Sequence, residues 1–425
     1  MASGRASSLL VVLALACDAS RALPSEPQVA GAGAAGATSG GAGATSGGAG
    51  ACASPAAGAT LGGTSGVSAG ASSDGGAHAG DGASGAPGGA TGGATGGASL
   101  GSCEGKGSEL APWPGGAEVT TLEPEEQFRG NLSGLTYDPE HDALWAVDNL
   151  PGTLFRLVPS GDGFVTDADG GWASGKGLRY PDGASAPDSE GLTFAADASA
   201  IYACSEHDNS SASSSRQSVL RFALGGAGAT LTATHDWNLT SILPRAGANT
   251  GVEAITWVPD SYLTARGFFD ELAAGAYEPA RYGDHGAGLF LVGVEESGRL
   301  YAVALDHASS AAHLVATIIT PQPGVMGLEF DRDTDQLWFH CDDTCGNQSG
   351  ILDIDTQSGS ATLGRFVVTR QFERPAQLPD SNHEGIAIGP ASACQDGFKP
   401  FFWTDDADAG GFSLRRGTIP CARCP

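Results

Sequence analysis

The feature that most constrains this chain is a short unit that recurs five times. Near the end it reads Asn382-His383-Glu384-Gly385-Ile386-Ala387-Ile388, a carboxylate before a glycine and then an apolar run. Asp188-Ser189-Glu190-Gly191-Leu192-Thr193-Phe194 repeats it, and Val252-Glu253-Ala254-Ile255-Thr256-Trp257 does so with alanine for glycine. Leu132-Ser133-Gly134-Leu135-Thr136-Tyr137-Asp138 and Val325-Met326-Gly327-Leu328-Glu329-Phe330-Asp331 keep the pattern without the carboxylate. Aligned at 133, 190, 253, 326 and 384, the units stand 57, 63, 73 and 58 residues apart. Each is followed by further short β-patterned runs, such as Ala143-Leu144-Trp145-Ala146-Val147 after the first and Gln336-Leu337-Trp338-Phe339-His340 after the fourth. Strand, turn, strand, loop, strand is an antiparallel meander. Repeated at this period, it predicts an all-β propeller with one blade per unit.

Five blades are readable, and the length of the folded part predicts six. The sixth is expected from Val119-Thr120-Thr121-Leu122 with the C-terminal strands, or from within the long third interval. A ring closed by both termini leaves no free sheet edge. The third unit carries an insertion over 260–286, whose 263–277 portion reads as a short helix.

Ahead of these units the sequence changes character. Of 66 glycines, many fall before Ser102, in repeats such as Gly40-Gly41-Ala42-Gly43-Ala44-Thr45-Ser46-Gly47-Gly48. Such a stretch cannot bury a core and reads as a tether. The opening is a leader: Arg5, then the apolar Leu9-Leu10-Val11-Val12-Leu13-Ala14-Leu15, then Ala16 before Cys17. The apolar run is too short to span a membrane. The division is therefore a signal peptide over 1–16, a Gly/Ala/Ser-rich linker over 17–102 and the propeller over 103–425. Ala14-Leu15-Ala16-Cys17 resembles a bacterial lipobox, which implies a lipidated Cys17 and a cell-envelope lipoprotein; ordinary cleavage at the same bond gives a periplasmic or secreted protein.

Nine cysteines agree with export, because removing Cys17 leaves eight in an oxidising compartment. Cys341 with Cys345 and Cys421 with Cys424 are close pairs, read as disulfide candidates. A four-thiolate zinc site is the alternative for the same four. Cys103 and Cys394 are positioned to staple the ends of the domain.

A net charge of −27, with lysine only at Lys106, Lys176 and Lys399, excludes nucleic acid and anionic membrane surfaces as partners. Contact with a membrane is expected only through the lipid anchor, and the folded part is expected to be a monomer.

In a propeller the first strand of each blade lines the central channel, so Glu190, Glu253 and Glu384 should converge at one end. Carboxylates crowded together raise one another's pKa unless a cation neutralises them. Calcium, which takes carboxylate oxygens, is the expected cofactor, with these three as metal ligands. A second acidic tier follows the second strands: Asp148, Glu206, Asp342 with Asp343, and Asp405 with Asp406. His383, beside Glu384, is a candidate general base, so the candidate catalytic set is Glu384, His383 and Glu190. Arg370 and Arg374 can clamp an anion. Trp145, Trp257, Trp338 and Trp403 fall within the strand pattern and read as blade packing.

The Ser133-Gly134-Leu135-Thr136, Asp188-Ser189-Glu190-Gly191-Leu192 and Asn382-His383-Glu384-Gly385-Ile386-Ala387 runs resemble the phytase-like, or esterase-like, propeller family over about 110–416. The resemblance implies a six-bladed propeller, calcium, and phosphomonoester or ester hydrolysis. Glu190 and Glu384 match its acidic-glycine motifs; Glu253 departs from them in preceding Ala254, and Ser133 and Met326 stand where a carboxylate would. The expected partner is a small-molecule ester or phosphoester, phytate being disfavoured by the scarcity of lysine. The alternative is a non-catalytic surface propeller that docks an unknown ligand and whose metal is structural.

Overall fold

A computed structural model describes residue 107 and residues 109–128 and 130–424. The expected leader, linker and Cys17, together with Cys103, lie outside these residues. Those described form five meandering sheets whose first strands contact one another in a closed ring. The first blade runs Leu132–Asp138, Ala143–Asp148, Thr153–Ser160 and Lys176–Arg179. The second runs Pro187–Phe194, Ala200–Asp208, Ser215–Ala223 and His235–Asn238. The third runs Val252–Pro259, Gly288–Val294, Arg299–Leu305 and Ala312–Ile319. Gly327–Asp331, Gln336–His340, Ser349–Ile354 and Phe366–Phe372 make the fourth, and Ile386–Ile388, Phe398–Thr404 and Leu414–Pro420 the body of the fifth.

Among the described residues the blade count is five, which corrects the expectation of six. Thr120–Thr121 does close the ring, but as the outermost strand of the fifth blade, antiparallel to Leu414–Pro420 at Arg415 and Arg416. Leu110–Ala111 adds a parallel edge strand to the fourth blade. The long third interval hides no blade either. It holds the helix Asp260–Ala265 and a small hairpin, Phe269–Asp270 with Gly275–Ala276. The predicted 263–277 helix is therefore mostly hairpin. Tyr277 Oη donates to Asp260 at 2.8 Å, and His285 Nε2 lies 2.9 Å from the same carboxylate, closing the insertion on its own first residue.

Hydrophobic packing explains why both faces of so many strands are apolar. The buried clusters fall at the five junctions between neighbouring blades. In Gly288–Val294, Phe290, Val292 and Val294 pack toward the second blade while Leu289 and Leu291 pack toward the fourth. An alternating strand thus serves two interfaces, and no face remains for solvent. Trp145, Trp257, Trp338 and Trp403 are buried in these junctions.

The small residue of the recurring unit is where the ring is tightest. A Cβ on Gly191 would lie 2.9 Å from the carbonyl oxygen of Glu253, and one on Gly134 would lie 2.7 Å from that of Glu190. At Gly327 the clashing atom is Glu384 O, 2.6 Å away. Neighbouring first strands therefore touch backbone to backbone, which only a residue without a side chain permits.

The cysteines pair differently from part of the expectation. Cys341 bonds Cys345, as its spacing suggests. Cys421 bonds Cys394 instead of Cys424, because the two flank the hairpin formed by the last long strands of the fifth blade. Cys424 is also disulfide-bonded. These bonds exclude both the four-thiolate zinc site and a Cys103–Cys394 staple. Cys204 is a free thiol buried in the second blade.

Candidate metal centre at the acidic mouth of the channel

The carboxylates reach the channel through bulges. Ser189 pairs with Ser205 and Gly191 with Cys204, so Glu190 is the extra residue on its strand. Glu253 is likewise extra between the pairs Val252–Val294 and Ala254–Gly293. A bulge lifts one residue out of the ladder and redirects its side chain. Ser133 and Gly134 fall in a corresponding irregularity of the first blade.

Glu190, Glu253 and Glu384 line one cavity of about 210 Å3 at the starts of the first strands. Met326 from the fourth blade lines it too. The strands are antiparallel, so the ends of the second strands come to the same place. They bring Glu206, Glu295, Asp342 and Asp406 to the cavity. Asp148, from the first blade, lies at the corresponding end of its second strand, next to the lining Asn149. The second tier thus has one acid from every blade.

Glu295 is the member that sequence reasoning missed. The insertion displaces its strand from Glu253, which hides the spacing shared by the other blades. The signal that could have found it is the run Leu289-Phe290-Leu291-Val292-Gly293-Val294-Glu295, an apolar strand ending in an acid like Ala143–Asp148. The pair Asp405 and Asp406 separates: Asp406 faces the cavity, while Asp405 is fully buried, accepting from Ser381 Oγ at 2.7 Å and pairing with Arg415 at 3.2 Å.

His383 does not join this set. Its Nδ1 lies 3.1 Å from Thr404 O and its Nε2 3.2 Å from Pro379 O, in the protein interior. Both ring nitrogens are occupied by backbone, so the imidazole fixes the loop that carries Glu384. Arg374 pairs with Asp380, and Arg370 donates to Thr369 O at 2.7 Å on an outer strand; neither lines the mouth. A different histidine borders the site: His207 Nδ1 lies 2.9 Å from Asp188 and 3.8 Å from Glu206.

Electrostatics follow from this crowding. Burial first, and then neighbouring carboxylates, hold Glu190, Glu253 and Glu384 well above the ordinary carboxylate range. Burial pushes Asp148 up to about 7, with Asp406 adding to it, and Glu295 to about 7, with Glu206 adding to it. Among the described residues no lysine, arginine or histidine lines the mouth. Asn382 Nδ2 partly offsets the repulsion by donating to Glu384 Oε1 at 2.9 Å and to Asp406 Oδ2 at 3.3 Å. Glu384 Oε2, Asp406 Oδ1, Asp148 Oδ1 and Asn149 Oδ1 are buried without a hydrogen-bond partner. Carboxylate oxygens of Glu206, Glu253 and Glu295 lie within 4.8 Å of one another, near enough to share one ion. Hard, anionic oxygen donors with open lone pairs suit calcium rather than a softer metal.

Comparison with curated proteins finds no match. Solved structures that match share little sequence with the chain. A putative oxidoreductase (glucose dehydrogenase) from Thermus thermophilus is 13% identical with TM-score 0.37, covering 71% of this chain and 99% of its own. The PQQ-bound aldose sugar dehydrogenase of Streptomyces coelicolor is 12% identical with TM-score 0.38, at 71% and 98%. No described helix is long and apolar enough to cross a membrane. Residues 127–313, which hold the first two blades, three strands of the third and five of the acids at the mouth, match the phytase-like family model, whose description is esterase-like activity of phytase. Across that span the chain is similar to the phytase-like family, and the described residues form a five-bladed all-β propeller.

Proposed function

We propose that the acidic mouth holds a calcium ion and that an ester or phosphoester is hydrolysed there. The observation that carries this reading is the crowding of acids from every blade at a mouth with no cationic side chain in its lining among the described residues, where Asp148 Oδ1, Glu384 Oε2 and Asp406 Oδ1 are buried without a hydrogen-bond partner. Such charge is costly unless protons or a cation neutralise it. Glu190, Glu253, Glu384, Glu206, Glu295 and Asp406 are the residues to hold the ion. When bound, calcium supplies Lewis-acid polarisation of the scissile oxygen and of a water molecule. Asn382 orients Glu384 and Asp406, and His383 keeps the Glu384 loop in place. Lys176 and Lys399 are fully buried, and Lys399 pairs with Asp331 at 2.7 Å, so neither is free to grip a highly phosphorylated substrate. The substrate class that fits is a small ester of low negative charge, a phosphomonoester being accepted only with the cation in place.

One observation favours the non-catalytic reading: no imidazole or hydroxyl lines the mouth among the described residues. Metal analysis of the full chain, with a panel of p-nitrophenyl acetate, butyrate and phosphate assayed with and without EGTA, separates the two. Hydrolysis that EGTA abolishes and calcium restores supports the enzyme. Bound calcium without hydrolysis leaves a binding propeller, and a chain that takes up no calcium removes the metal centre.

We also propose that the chain is exported and tethered through Cys17. The Cys341–Cys345 and Cys394–Cys421 disulfides support an oxidising compartment. Membrane fractionation of Cys17→Ser tests the anchor, and retention of the variant in the membrane fraction at the wild-type level would overturn it.

A further inference from the structure

The central channel has a second mouth, at the far ends of the same first strands, which the reading above does not use. Leu135, Leu192, Ile255, Leu328 and Ile386 close the channel between the two ends, where only about 10 Å3 remains. Beyond this plug is a cavity of about 150 Å3. Three residues after Ser133, Glu190, Glu253 and Met326, the shared register sets Thr136, Thr193, Thr256 and Glu329 around its wall.

These groups are left with complementary hydrogen-bonding capacity. Thr256 Oγ1 accepts from Phe330 N at 3.0 Å, so its hydroxyl proton is available to donate. Thr193 Oγ1 donates to Phe194 O at 3.3 Å and keeps its lone pairs. Glu329 Oε2 is buried and has no partner. Arg332, in the same wall, does not satisfy it. The guanidinium donates to Phe194 O at 2.9 Å and Ala195 O at 2.8 Å, and lies over the Trp257 ring, 4.9 Å from its centroid.

The geometry points to a second binding site, for a small uncharged polyol, formed by Thr136, Thr193, Thr256, Glu329 and Trp257 at the end of the channel opposite the acidic mouth. Adjacent hydroxyls of a polyol offer both donors and acceptors, matching the free hydroxyl proton of Thr256, the lone pairs of Thr193 and the open oxygen of Glu329. Its C–H face suits the apolar part of the wall, which Phe194 and Ile388 line. An anion would meet the Glu329 carboxyl, and Nη2 of Arg332 already donates to Phe194 O and Ala195 O. An organic cation would meet the guanidinium of Arg332 where an aromatic face should be. The site does not rest on the hydrolase reading, because the plug separates the two mouths.

The test is titration calorimetry of the full chain with myo-inositol, D-glucose and glycerol, and with choline and inorganic phosphate for comparison. At least one polyol should bind the wild type. Thr193→Val, which is nearly isosteric, and Glu329→Gln should each weaken it tenfold or more, whereas Glu384→Gln at the other mouth should leave it unchanged. Should Glu329→Gln fail to fold, Thr193→Val decides alone. Binding of choline or phosphate but no polyol, no binding at all, or polyol binding indifferent to these substitutions would each overturn the proposal.

Discussion

The carbonyl oxygen of Ser133, on the first blade, lies where a side chain on Gly385, on the last, would begin: a Cβ at Gly385 would stand 2.2 Å from it. Thr404 Oγ1 donates to the same carbonyl and accepts from Gly385 N at 2.8 Å. Residues far apart in sequence are thereby joined at the point where the ring closes. The contact also sets the position of Glu384, one residue away.

Gly385→Ala should therefore destabilise the whole domain. Overpacking of this kind costs about 1–3 kcal/mol, and two of the three nearest atoms, Ser133 O and Leu135 N, are backbone that cannot rotate aside. Ala254, the one unit with a methyl at this position, provides the contrast: Ala254→Gly should cost only about 0.5–1 kcal/mol, through backbone entropy. Denaturant melts of the two variants check this, and equal losses would mean that closure is looser than the contact implies.

The pH dependence of the calcium-free protein has a definite sign. Asp148 and Glu295 each have a folded-state pKa of about 7, above their ordinary values of 3.8 and 4.5. The folded chain therefore holds more protons than the unfolded chain between those limits, and its stability falls as pH rises through that window. Glu190, Glu253 and Glu384 shift in the same direction and extend the fall. In EGTA the melting temperature should drop from pH 5 to pH 8, and calcium should offset the drop at the alkaline end. A flat profile in EGTA would show that the carboxylates are already neutralised by something other than protons.

Reduction should act on the fifth blade. The Cys394–Cys421 bond closes a segment with a sequence separation of 27, for which loop-closure entropy gives about 3.5 kcal/mol. Cys421→Ser should lower the melting temperature by several degrees without changing calcium affinity, since neither cysteine lines the acidic mouth. A loss of calcium binding at temperatures where the variant remains folded would contradict that separation.

Much of this was legible because two local rules leave marks in the sequence. The requirement for a small residue where first strands touch marks Gly134, Gly191, Ala254, Gly327 and Gly385, and with them every blade. The bulge that turns Glu190 and Glu253 inward places the acid just before the small residue. What could not be read depended on contacts between distant segments. Thr120–Thr121 looks like the start of a new blade until its partner is seen to be Arg415–Arg416. His383 looks like a base beside Glu384 until the carbonyls of Thr404 and Pro379 are found on its ring nitrogens. Cys421 has Cys424 near in sequence but Cys394 across a hairpin. Glu295 was concealed by the insertion, although its strand carries the same ending as the others.

Glu384→Gln is the sharpest probe of the acidic mouth. Glu384 Oε1 accepts from Asn382, while Oε2 is buried without a donor, so one oxygen serves the fold and the other is available to a cation. The amide preserves size and removes one charge. Without calcium, the variant should be as stable as the wild type or more so at neutral pH, because less negative charge is crowded against Asp406 and Asp342. With calcium, the wild type should gain stability with rising concentration as the site fills, by about 2.7 kcal/mol at a hundredfold excess over Kd. The variant should require at least tenfold more calcium for the same rise in melting temperature. Calcium titrations followed by thermal melting read both effects. If the two proteins respond to calcium alike, Glu384 is not a ligand and the unpartnered oxygen belongs to a protonated carboxyl.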